Sequence, residues 1–173
     1  ERVLMLGRSG ELRARKPADF DIAYRHVALR GGELGVDEWF AAAWFGFKRG
    51  DVLAVIGDNR PRLYAAQLAA QCLGGTPAPL YQDAAADELV YVLEHAEASV
   101  VVAEDQEQVD KILSIRARLP RLRLVVYEDA RGMFHYRDEA LRSFESVAAL
   151  GREYGAAHPG YVEAEIAKGQ PSD

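Results

Sequence analysis

Four short apolar runs recur along the middle of the chain, and their regular spacing constrains its fold more than any other feature. They begin near residues 52, 76, 99 and 122, about 23 residues apart, with helix-forming segments between them. A run that is apolar at every position is typical of a strand buried on both faces, as in a parallel sheet covered by helices. The alternation predicts an α/β fold: a mostly parallel sheet with βα repeats and helices on both faces.

The best-defined repeat begins with the apolar run at residues 52–56, which is followed by a turn and a helix. Pro61 suits the first turn of that helix because the N–H that proline lacks would have no partner there. Asp58 and Asn59 precede it and are candidate caps for the free N–H groups. We therefore expect a strand, a capped helix start and a crossover within about 30 residues.

The helix after Pro61 has few strongly polar side chains. Between residues 63 and 73 these are Gln67 and Gln71, one turn apart, so the helix is expected to expose a thin stripe to water. In the next strand, Pro77 and Pro79 lack N–H groups on the same side. A central strand would lose two ladder bonds there, so we predict an edge strand.

Cap residues predict where the later helices begin. Asp83, Asp105 and Ser143 are candidate N-caps, and Pro159 suits a first turn. The expected helices end near residues 96, 119, 154 and 167, and residues 128–139 are expected to form a loop. The first of these helices has an apolar face made by Leu89, Val92, Leu93 and Ala96.

The first 46 residues are less regular. Residues 3–6 and 12–15 are expected to form a hairpin, residues 22–29 a single strand, and Asp37 the cap of a short helix to Phe45. The chain is accordingly divided into residues 1–46 (strands and a short helix), 47–130 (the βα core) and 131–173 (a loop, two helices and a linker).

Composition restricts the function. The 173 residues carry a net charge of −6 with a pI of about 5.3, which disfavours nucleic acid as a partner. Cys72 is the single cysteine, so an internal disulfide is excluded and a reducing compartment is favoured. No apolar run approaches the roughly 20 residues that cross a bilayer, and we expect a cytoplasmic protein without a transmembrane segment.

Several residues are candidates for chemistry, and each also has a structural interpretation. A Walker loop and a GxGxxG motif are both missing. The turn of Gly57, Asp58, Asn59 and Arg60 follows a strand, where open α/β sheets bind ligands, but a simple turn and helix cap is the favoured interpretation. The acidic group of Glu104, Asp105, Gln106 and Glu107 could hold Mg²⁺, although acidic residues also suit a first helical turn.

The other candidates favour structural roles. The four histidines are scattered: His26, His95, His135 and His158. Cys72 lies among apolar helix residues without a neighbour that would activate it, which indicates a buried structural thiol. Four arginines flank one helix end and could meet a phosphate or an anionic lipid, or form a solvated basic face: Arg116, Arg118, Arg121 and Arg123.

Residues 50–61 and 73–83 resemble the N-terminal region of AMP-forming acyl-CoA synthetases. Residues 91–97 and 101–111 resemble the bacterial long-chain type in particular, and the whole likeness spans about residues 47–173. The resemblance implies that the fold is part of the N-terminal domain of an adenylate-forming ligase. One departure is the short interval between Glu38 and Gly50, where family members usually place a long helix.

The resemblance also implies the family's two-step reaction. A carboxylic acid, here expected to be a fatty acid, reacts with ATP and Mg²⁺ to give an acyl-adenylate, and coenzyme A then displaces AMP. The family's phosphate loop, Tyr-Gly-x-Thr-Glu motif, ribose-binding aspartate and C-terminal lysine do not occur in these residues. We therefore expect an N-terminal fragment, inactive alone, with no catalytic, cofactor-binding or metal-binding residue and no tight cofactor binding.

Three further expectations accompany this interpretation. The same chemistry could act on an aryl or medium-chain acid. A stand-alone, non-catalytic α/β module with a binding or regulatory role is the alternative of another class. An isolated fragment would also expose the apolar face that packs on the rest of the enzyme, which favours self-association.

Overall fold

The computed structural model describes the backbone of residues 3–6, 12–15, 20–23 and 26–29, and residues 47–170 in full. The chain divides into two compact units, residues 1–38 and 39–173. The helix predicted from Asp37 to Phe45 lies outside the described residues.

In the described part of the first unit, the strands pair antiparallel. Strand β1 (Val3–Leu6) pairs with β2 (Leu12–Arg15), as expected for the strands of a hairpin. The prediction of one strand over residues 22–29 is wrong, because β3 (Phe20–Ala23) pairs with β4 (His26–Leu29). Ala23 pairs with His26 in this register. The residues between them in the sequence, Tyr-Arg, include no glycine, asparagine or aspartate to signal two strands instead of one.

The second unit is built on a parallel sheet, as the spacing of the apolar runs predicts. Its strands lie in the order β6-β5-β7-β8-β9, and every neighbouring pair is parallel. They are β5 (Val52–Ile56), β6 (Thr76–Leu80), β7 (Ala98–Ala103), β8 (Leu124–Tyr127) and β9 (Leu141–Ser143). Strand β9 was not predicted.

Helices cover both faces of this sheet. They are α1 (Pro61–Cys72), α2 (Ala86–His95), α3 (Gln106–Ile115), α4 (Phe144–Ala157) and α5 (Tyr161–Ala167), with 3-10 turns at Arg116–Arg118 and Met133–His135. Alternate residues of each strand point to opposite faces. On one face Val101 shares a buried cluster with Leu89 of α2 and Ile112 of α3, and on the other Val102 shares a second cluster with Leu63 of α1.

The edge position of β6 is confirmed among the described strands. The Thr76 N–H donates to the Asp51 carbonyl at 2.9 Å, so Thr76 points its N–H group toward β5. Because successive residues of a strand alternate in direction, Pro77 and Pro79 face away from β5, where their missing N–H groups cost the ladder nothing. Across the described part of the chain, no helix is long and apolar enough to cross a membrane.

Two predicted caps are confirmed. Asp105 Oδ1 accepts from the Gln108 N–H at 3.2 Å, and Ser143 Oγ accepts from the Ser146 N–H at 3.1 Å. The last helix begins two residues later than predicted, at Tyr161 rather than Pro159.

The cap predicted for α2 is wrong. The helix begins at Ala86 rather than after Asp83, and the Glu88 carboxylate accepts from the Ala85 N–H at 3.2 Å. Val90 is buried on this helix whereas Val92 is 40% exposed, so the predicted apolar face is displaced. The prediction that α1 exposes only a thin polar stripe is also wrong, because the exposed residues of this helix include Tyr64 and Leu68.

Candidate functional site

Three loops follow strands β5, β7 and β8 and meet at the carboxyl edge of the sheet. They are residues 57–60, 104–105 and 128–131, and we call them the carboxyl-edge loops. In open α/β sheets this edge is where ligands bind. The geometry of these loops therefore determines what the unit could contribute to a site.

Glu104 contacts the ends of all three strands. Its N–H donates to the Ile56 carbonyl at 2.9 Å, and its own carbonyl accepts from the Asp129 N–H at 2.7 Å. Its carboxylate accepts from the Asp58 N–H at 2.5 Å through Oε2 and from Arg60 Nε at 2.7 Å through Oε1. The residue is only 6% exposed, so a buried carboxylate connects the loops.

Gly57 lies directly against this carboxylate. A Cβ atom added at Gly57 would lie 2.4 Å from the Glu104 Cβ and 2.8 Å from its Oε2. Its φ of +146° is also a conformation that L-residues rarely adopt. Glycine is therefore required here both by its backbone conformation and by the close approach of Glu104.

Arg60 occupies the N-cap position of α1, and its side chain turns to Glu104. No side chain caps this helix, so the prediction that Asp58 or Asn59 does so is wrong. The Asn59 Oδ1 instead accepts from the Tyr64 hydroxyl at 2.8 Å. The hydrogen bond to Glu104 raises the pKa of the Arg60 guanidinium, and the negative charges of nearby carboxylates act in the same direction.

The loop after β8 has its own ion pair. Both the side chain and the backbone N–H of Arg131 donate to the Asp129 carboxylate. These hydrogen bonds hold the pKa of Asp129 at about 2, below its usual range. The carboxyl-edge loops are thus stabilised by two arginine–carboxylate pairs, which the sequence analysis missed.

The acidic group considered as a magnesium site does not fit that role. The Glu104 carboxylate is occupied by Asp58 and Arg60, Asp105 caps α3, and Glu107 pairs with Lys111 at 3.0 Å. Within the described residues, no group of three or more His, Cys, Asp or Glu side chains could hold a metal ion. The structural interpretation of residues 104–107 is therefore the better one.

The described histidines do not come together. His95 stacks on Tyr91 with ring centroids 5.9 Å apart, and the ring of His135 lies 4.0 Å from that of Phe134. His158 Nδ1 lies 3.0 Å from the Tyr154 carbonyl. The side chain of His26 lies outside the described residues. Each described histidine thus has a local aromatic or backbone contact rather than a shared site.

The cysteine and the arginine group also have structural roles. Cys72 is partly buried, and burial raises the pKa of its thiol, which disfavours the reactive thiolate. Each of the four arginines pairs with a carboxylate from another element: Arg116 with Asp138, Arg118 with Asp87, Arg121 with Glu97, and Arg123 with Asp51. They do not form an open anion site.

Together the fold and the site define a class: a parallel α/β domain that presents preformed loops at the carboxyl edge of its sheet. The AMP-binding enzyme family matches residues 39–161. The chain belongs to this family, which confirms the resemblance found in the sequence.

Comparison with individual proteins supports the same family. A long-chain-fatty-acid–CoA ligase of Xenopus laevis is 31% identical over 85 residues, which cover 49% of this chain and 12% of that protein. The fatty acyl-CoA synthetase A of Dictyostelium discoideum is 31% identical over 94 residues, covering 54% of this chain and 13% of that protein. The matched segment is thus a small part of either relative.

Among solved structures, an anthranilate CoA ligase in complex with anthranoyl-AMP superposes with a TM-score of 0.58. It is 20% identical, and the match covers 66% of this chain and 21% of that one. This similarity supports the fold, which is that of part of an adenylate-forming ligase.

Proposed function

We propose that this chain is part of an enzyme that activates a carboxylic acid with ATP and transfers it to coenzyme A. The observation that carries the proposal is the family match over residues 39–161. The two relatives compared above are named as acyl-CoA ligases or synthetases, which supports the same reaction here. A non-catalytic module is not favoured by these comparisons.

A fatty acid is the proposed substrate class. Its support is that the similar proteins of Xenopus and Dictyostelium are named for fatty acids. The similar solved structure carries an aromatic acyl-adenylate, which makes an aryl acid the competing substrate. No residue described here is assigned to the acid pocket.

In this proposal the chain is a scaffold within a cytoplasmic enzyme. ATP, Mg²⁺ and coenzyme A bind to residues elsewhere in the complete enzyme. The carboxyl-edge loops support this role because their charged side chains pair with each other. Large apolar side chains are exposed at Tyr64, Tyr91 and Ile166. We propose that such surface packs on the rest of the enzyme, and that the isolated chain self-associates through it.

The test is a pyrophosphate-release assay. The full-length product of the gene would be expressed and given ATP, Mg²⁺, coenzyme A and acids of varied length. Acid-dependent pyrophosphate release is expected, and it should be fastest with long-chain acids. The 173-residue chain alone is the matched control and should release none. Faster turnover of benzoate-type acids would favour the aryl alternative, and no acid-dependent release would reject the reaction.

A further inference from the structure

Glu104 joins three strand ends through one residue, and we propose that it is a latch that holds the carboxyl-edge loops in one arrangement. Its backbone connects β7 to the end of β5 and to the loop after β8. Its carboxylate connects β7 to the turn of residues 57–60. The sheet ladder aligns the strands themselves, whereas these contacts fix the loops beyond them.

Because the Glu104 carboxylate is buried, it depends on compensating groups from a neighbouring loop. The Glu104 side chain is 8% exposed, whereas that of Glu107 three residues later is 70% exposed. Burying a charged carboxylate is costly unless a cation and hydrogen-bond donors compensate it. Both compensating groups come from one turn, since Asp58 gives its amide and Arg60 its guanidinium. That turn must therefore keep its conformation for the carboxylate to remain buried.

The turn of residues 57–60 has space for the Glu104 side chain. Gly57 leaves the space that Glu104 fills, since any Cβ there would overlap the glutamate side chain. The Arg60 N–H donates to the Asp58 carbonyl at 2.8 Å, which closes the turn around the carboxylate. The absence of a side chain at Gly57 and the tight closure at Asp58 are independent of the ion pair, and both point to the same contact.

The latch also determines what this edge offers to a ligand. An arginine at the start of a helix would ordinarily suit an anion. Here the Glu104 carboxylate already occupies the guanidinium, and the negative charges of Asp58 and Glu128 lie close enough to act on it. Arg60 is thus a positioning residue for the turn, and beside its paired guanidinium the turn presents Asp58 and Asn59, both exposed.

Amide hydrogen exchange of the 173-residue chain, followed residue by residue by NMR, tests the latch. Glu104→Gln keeps the shape and removes the charge that strengthens the hydrogen bonds, so the Asp58 amide should exchange about 10-fold faster. The amide of Val102, inside β7, should be unchanged and reports global stability. Glu94→Gln, at an exposed glutamate of α2, is the matched control and should change neither amide.

Unchanged exchange at Asp58 in Glu104→Gln would overturn the proposal. If Val102 accelerates together with Asp58, the variant has lost global stability, and Arg60→Met then decides. Arg60 has a side-chain exposure of 47%, but Arg60→Met leaves the buried Glu104 carboxylate without its cation, so exchange should rise more at Asp58 than at Val102. A larger rise at Asp58 than at Val102 in Arg60→Met supports the latch, and an equal rise at both amides or full protection at Asp58 refutes it.

Discussion

Gly57→Ala should destabilise the protein far more than the same substitution at Gly160. Both glycines have positive φ, +146° and +78°, so both substitutions strain the backbone. At Gly160 no atom lies within 4 Å of the new Cβ, which leaves a cost of about 1–2 kcal/mol for the conformation alone. At Gly57 the backbone cost of about 1–3 kcal/mol is joined by about 1–3 kcal/mol for crowding against Glu104, giving about 2–6 kcal/mol.

Urea unfolding followed by far-UV circular dichroism measures both variants against the wild type. The difference between the two free energies of unfolding reports the crowding at Glu104 together with the different backbone costs at φ of +146° and +78°. If Gly57→Ala costs no more than Gly160→Ala, the contact between Gly57 and Glu104 does not limit this position. The argument that the turn is shaped around the carboxylate would then be wrong.

Three other tests address the core, the acid range and the sheet edge. Ile112 is fully buried, so Ile112→Ala should lower the free energy of unfolding by about 2–5 kcal/mol and Ile112→Val by about 0.5–1.5 kcal/mol, and similar losses for both would contradict the packing. The pKa of Asp129 is lowered from 3.8 to about 2 in the folded state, so its charged form contributes stability above pH 4 that is lost as the pH falls toward 2. Asp129→Asn should therefore flatten the decline of the urea midpoint between pH 4 and pH 2, and an unchanged decline would exclude this pair as a cause. Replacing Pro77 and Pro79 together by alanine restores two outward N–H groups on the edge strand. Sedimentation should therefore show more association of this variant than of the wild type or of the control Pro159→Ala. Equal association in all three would count against protection of the sheet edge by the two prolines.

The sequence predicted the second unit well where the signal was local. Strands β5 and β7 are apolar at nearly every position because helices cover both faces of the sheet, and that pattern needs no knowledge of partners. Pro77 and Pro79 likewise placed β6 at an edge, because a missing N–H group restricts pairing wherever the strand lies.

Prediction from the sequence failed where a neighbouring strand or helix determines the local structure. Strand β9 has three residues, of which Arg142 and Ser143 are polar, and it forms because β8 offers its open edge. The Val125 N–H donates to the Ala140 carbonyl at 2.9 Å, a contact that no local pattern signals. On α2 the burial of Val90 instead of Val92 follows from how the helix lies on the sheet, since both positions flank the same apolar stripe.

The failed cap of α1 shows how the site and the fold compete for the same residues. Pro61 has no N–H group, and the N–H groups of Leu63 and Tyr64 both reach the Arg60 carbonyl, at 3.1 and 3.2 Å. Few donors at the helix start therefore remain for a side chain to satisfy, and the stabilisation a cap could add is small. Glu104, which lies 46 and 44 residues away in sequence, instead accepts from the Asp58 amide and the Arg60 guanidinium, donors that could not cap the helix themselves. Local rules could place both loops at the carboxyl edge, but the choice between a local cap and a distant carboxylate depends on the packing of β5 against β7.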